Sequence, residues 1–79
     1  MNIIYDRVEV VFRANGSVFD CRQICETIMS HKEFYARYDE VFKEIVVGTS
    51  SGTAEDAKRV FYDTIDALIK DGKRVVYYG

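Results

Sequence analysis

The stretch that decides the fold runs from Glu44 to Tyr78, EIVVGTSSGTAEDAKRVFYDTIDALIKDGKRVVYY. In its middle, Ala57, Val60, Phe61, Thr64, Ile65 and Leu68 recur at i, i+3, i+4 and i+7, which predicts a helix from Ala54 to Lys70 with one apolar stripe. Thr53 stands where an N-cap is needed, Glu55 and Asp56 complement the positive end of the dipole, and Lys70 and Gly72 suit the other end. Ahead of the helix, Ile45-Val46-Val47 within Glu44–Thr49 reads as a buried strand, and behind it Lys73–Tyr78 reads as the last strand. Strand, helix and strand in this order imply a parallel βαβ unit.

Working outward, Val8, Val10 and Phe12 alternate with Glu9, Val11 and Arg13, the two-residue period of a strand, placed between Ile3 and Ala14. Asn15-Gly16 follows, a strong hairpin signal, so Ser17–Phe19 either returns as a short second arm or Ser17 caps a helix directly. Cys21, Ile24, Cys25 and Ile28 share one face of a helix from Asp20 to Ser30. Ser30 with Glu33 then fits a capping box and opens a further helix, His31 to about Asp39, with Phe34 and Tyr38 on one side. The expected fold class is α/β or α+β, a small two-layer domain. Its mixed sheet of three to four strands carries two to three helices mainly on one face, in the order β-(β)-α-α-β-α-β.

Seventy-nine residues allow a single domain, 1–79, with one core. At 48% hydrophobic and 30% charged, the chain has the balance of a globular protein. The longest apolar runs are far short of the roughly 20 residues that span a bilayer, and no secretory signal is evident, so the expected location is cytoplasmic. Eleven Lys and Arg against thirteen Asp and Glu, interspersed, give a net charge of −2. That balance disfavours nucleic-acid binding, whose affinity is dominated by phosphate neutralisation, and is too mild for a DNA mimic. Protein or small-molecule partners remain.

Four groups of residues could carry chemistry. Val47-Gly48-Thr49-Ser50-Ser51-Gly52-Thr53 is a hydroxyl-rich glycine loop entering a helix, where backbone N–H groups can cradle phosphate. Locally it resembles the phosphosugar-binding loop of sugar isomerase domains, Ser-x-Ser-Gly-x-Thr, with Thr49, Ser51 and Gly52 in matching places and Ala54 where the final Thr is expected. The resemblance implies a phosphate-ligand-binding or enzymatic fragment using Thr49, Ser50, Ser51 and Gly52. The plainer reading is a capped turn, since small and hydroxyl residues are the default at βα junctions and Glu55 and Asp56 repel an anion.

Cys21 and Cys25 lack both redox and zinc spacing, and His31 alone could add a ligand, so no metal or cofactor is expected and the thiols are assigned to the core. Close carboxylates such as Asp63 and Asp66 read as a solvated helix face. The six tyrosines are the anomaly. Tyr62 falls among charges near Arg59, and Tyr77 and Tyr78 lie on a terminal strand that could form a sheet edge, so these four are the candidate partner-binding residues. The leading expectation is a small non-enzymatic regulatory or inhibitory protein acting by protein–protein contact, with self-association into a homodimer as one route. Freestanding domains of this size and plainness are common among modulators encoded by viruses and mobile elements, a base-rate judgement and not a reading of residues.

Overall fold

The computed structural model describes residues 8–14, 16–50 and 52–72. Five elements follow one another: β1 (Val8–Arg13), α1 (Val18–Met29), β2 (Phe34–Asp39), β3 (Glu44–Thr49) and α2 (Ala54–Lys70). The sheet has the order β1-β3-β2, and both neighbouring pairs are antiparallel. β1 and β2 therefore run parallel to each other with β3 between them, the split βαβ arrangement.

Among the described residues the sheet is antiparallel, not mixed, and carries two helices. The expected last strand, Lys73–Tyr78, with Tyr77, Tyr78 and the parallel unit it would complete, lies outside the described residues, as does the beginning of the first strand.

The helix expected over His31–Asp39 is a strand. Ser30 does not open a helix but closes one: its N–H donates to the Glu26 and Thr27 carbonyls at the end of α1. The i, i+4 pair Phe34 and Tyr38 that suggested a helical face equally fits the strand period, because Ala36 between them is buried too. Pairing with β3 along all six residues of β2 outweighs the modest helix preference of Ala36 and Arg37. At the start of α1 no second arm forms. Ser17 is the N-cap, its hydroxyl accepting from the Asp20 N–H at 3.1 Å, and the helix begins at once.

Both helices cover the same face of the sheet. Val10, Phe12, Ala36, Ile45 and Val47 point into this layer and meet Cys21, Ile24, Cys25 and Ile28 of α1 and Ala57, Phe61, Ile65 and Leu68 of α2. These are the stripes that helical spacing predicts. Phe61 is fully buried and stacks on Phe12 with ring centroids 3.8 Å apart. α2 starts on a reciprocal capping box: the Thr53 side chain accepts from Asp56 N–H, and the Asp56 carboxylate accepts from Thr53 N–H at 2.9 Å.

The other face of the sheet carries Glu9, Val11 and Arg13, then Gly48, Val46 and Glu44, then Tyr35, Arg37 and Asp39, each trio aligned across the strands. Tyr35 lies across Gly48, and its hydroxyl donates to the Glu9 carboxylate on the far strand.

Candidate interaction surface

The turn joining β2 to β3 is held by its own side chains and by β1. The Asp39 side chain accepts from the N–H groups of both Val41, at 2.9 Å, and Phe42, at 3.2 Å, closing the turn on its own aspartate. Lys43 takes a left-handed conformation, φ 56°, and its carbonyl accepts from Ala14 N–H at 2.9 Å, which ties the turn to β1. On this fixed frame Val41 is 83% exposed and Phe42 70% exposed. Two adjacent apolar side chains held outward on an ordered turn are unlike scattered surface hydrophobics, which a mobile loop would let fold back. Sequence reasoning missed them because a helix assigned to the preceding segment made residues 40–43 a mere connection.

In the Gly48–Thr53 loop the described polar groups bond mainly to one another and to Asp56. Thr49 is buried and its hydroxyl accepts from Gly52 N–H at 3.1 Å, while Thr53 N–H and hydroxyl both donate to Asp56. The N–H groups of Gly52 and Thr53 are thus taken by side chains of the chain itself, one of them a carboxylate. The hydrogen bonds from the Thr53 backbone and hydroxyl hold the Asp56 carboxyl below its ordinary range. Its contribution to the cap is therefore present above the usual carboxylate pKa and is lost as pH falls through the lowered value. Ser50 is exposed, and Ser51 is outside the described residues.

Tyr62 is 39% exposed, yet its ring also meets Phe12 and Phe61 edge-on, with centroids 5.8 and 5.5 Å away. It is half a lid on the aromatic core and half surface. Arg59 lines a groove of about 430 Å³ between α1 and α2, shared with His31, Asp56 and Asp63 over half-buried Phe34 and Val60. His31, which the sequence left without a role, lines the same groove. The rim sets one guanidinium against two carboxylates, one already engaged in the cap, and so has no strong net field to select an ion.

Cys21 and Cys25 are buried free thiols, and no group of metal-binding side chains occurs among the described residues. Burial pushes Cys25 up to about 11. Burial also raises Cys21, against the weaker pull of the Tyr38 hydroxyl and the Gly16 backbone. Tyr38 Oη is itself buried without a well-formed hydrogen bond, and its burial, followed by the neighbouring Cys21, raises its pKa. Because the thiolate is the reactive form, labelling of both cysteines by a thiol reagent at neutral pH is expected to be slow in the native protein and fast in denaturant. Fast stoichiometric labelling without denaturant would contradict their place in the core.

No helix among the described residues is long and apolar enough to cross a membrane. Comparison with family models, curated proteins and solved structures finds no match to this chain.

Proposed function

We propose that the chain is a non-enzymatic regulatory or inhibitory module that works by binding a protein partner, with Val41 and Phe42 as its apolar anchor. The observation supporting this reading is the pair's exposure on a turn fixed by Asp39 and Lys43. An anchor ordered before binding loses little conformational freedom on docking, and burying a Phe side chain is worth about 1.5–3 kcal/mol. The chemistry calls for a partner offering an apolar pocket, since an aromatic filling such a pocket is the usual centre of a protein interface.

The test is affinity capture from the native host with the wild type, Phe42→Ala, Val41→Ser and Tyr62→Ala, each checked for an unchanged melting temperature. The expected result is a specific co-purifying protein that both turn variants lose and Tyr62→Ala retains. Loss on Tyr62→Ala alone would move the contact to α2 and overturn the assignment to the turn. A dose-dependent rise in melting temperature with phosphate or sugar phosphates, abolished by Ser51→Ala, would favour ligand binding at the Gly48–Thr53 loop instead.

A further inference from the structure

β2 is an edge strand among the described residues, since β3 pairs with one side of it and no strand pairs with the other. Which of its backbone groups face outward follows from two hydrogen bonds. The bond from Ala14 N–H to the Lys43 carbonyl extends the β1–β3 ladder, so Ile45, Val47 and Thr49 bond toward β1 and Glu44, Val46 and Gly48 toward β2. Asp39, Arg37 and Tyr35 are then the β2 residues that bond to β3. Phe34, Ala36 and Tyr38 turn their groups to the free edge, and consistently the Phe34 N–H is taken by the His31 carbonyl. The N–H groups of Ala36 and Tyr38 and the carbonyls of Phe34, Ala36 and Tyr38 are left facing outward. β2 lacks the proline or edge lysine that commonly blocks such an edge.

Above this edge, α1 and β2 enclose an open groove of about 230 Å³ lined by Cys25, Met29, Ala36 and Tyr38, with Arg22 and Glu26 on the helix. Phe19 and Met29, exposed, end the same outward stripe of α1. Arg22 and Glu26 give this rim one charge of each sign. A two-fold axis reverses the helix direction, so a rim of this kind is complementary to itself.

We infer that a second copy of this chain occupies the edge, pairing β2 with β2 antiparallel about Ala36 to make one continuous sheet. Ala36 exchanges both backbone bonds with the second copy's Ala36, and the Tyr38 N–H reaches the second copy's Phe34 carbonyl. Tyr38 and Phe34 become cross-strand aromatic neighbours on the helix side of the seam. The two α1 rims run antiparallel above it, each Arg22 near the second copy's Glu26, with Met29 covered between them. The contact is isologous, the same patch serving both copies. It uses neither Val41 nor Phe42, so it stands or falls separately from the partner-binding turn.

Charge exchange tests it without touching the core. Sedimentation equilibrium at high micromolar concentration should give the wild type twice the 9.1 kDa mass of the chain. Arg22→Glu alone and Glu26→Arg alone each place four like charges at the seam and should weaken association on the order of a hundredfold. An equimolar mixture of the two single variants, and the double exchange Arg22→Glu/Glu26→Arg, should each restore the dimer. Circular dichroism establishes that every variant is folded, and the mixture supplies a gain of association that misfolding cannot mimic. A monomeric wild type, or a dimer indifferent to these exchanges, would overturn the pairing.

Discussion

Phe61→Ala is expected to lower the urea midpoint by about 2–4 M and leave the protein only marginally stable at room temperature. Phe61 is fully buried at the one place where α2, β1 and the aromatic cluster meet, stacked on Phe12 and edge-on to Tyr62. Removing a buried Phe costs about 3–5 kcal/mol, because the lost transfer energy is joined by the cavity left behind. A domain of this size has about 5 kcal/mol in total at the low end of the usual range, so the loss approaches the whole. Tyr62→Ala supplies the contrast. It removes edge contacts from a half-exposed ring and should cost about 1 kcal/mol. Equilibrium urea unfolding followed by circular dichroism measures both, and near-equal midpoint shifts would mean that the aromatic cluster is not centred on Phe61.

That core was legible in the sequence because its signals agree at several levels. For α2, periodicity, the Thr53 cap and the C-terminal Gly72 all mark the same limits, and the helix occupies Ala54–Lys70 as the spacing predicts. β3 likewise keeps its expected limits, Glu44–Thr49, since this central strand is buried on both faces, Val46 away from the helices included, and so reads as an apolar run. β2 was hidden by a coincidence. Ser30 and Glu33 have capping-box spacing, and Phe34 and Tyr38 are separated by four residues, which suits either a helix turn or alternate positions of a strand. Only the neighbour decides between them, and β3 is distant information from the viewpoint of a short window.

The candidate surface suffered from the same error. Val41 and Phe42 look like core residues unless they are known to sit at the tip of a hairpin. At Gly48–Thr53 the plainer reading, a turn capped by Thr53, agrees with the bonds between Thr53 and Asp56, although the sequence alone does not reveal that Asp56 turns back onto Thr53. Tyr62 was correctly set off the apolar stripe, although its ring still reaches Phe12 because the neighbouring strand comes within edge-on distance.

Gly48→Ala is expected to destabilise the wild type by about 1–2 kcal/mol, and to stabilise the protein when Tyr35 has first been changed to Ala. A Cβ on Gly48 would fall inside the Tyr35 ring, with Cε1, Cζ and the hydroxyl all too close to remain. The ring would have to swing off the sheet, giving up both its cover over the central strand and its hydrogen bond to Glu9. That bond spans β3, so the Tyr35 side chain ties β2 to β1 across a glycine that leaves room for it. An aromatic laid over a strand glycine also shields backbone that the glycine leaves bare. Without the ring, nothing favours glycine here, and alanine gains from its smaller loss of backbone freedom, about 0.5–1 kcal/mol. The sign should therefore reverse between the two backgrounds, with a coupling energy of about 2 kcal/mol, above the few tenths found for independent sites. Urea unfolding of the wild type, both single variants and the double variant closes the cycle. If Gly48→Ala has the same cost with and without Tyr35, the requirement for glycine lies in the strand itself and not in the ring that crosses it.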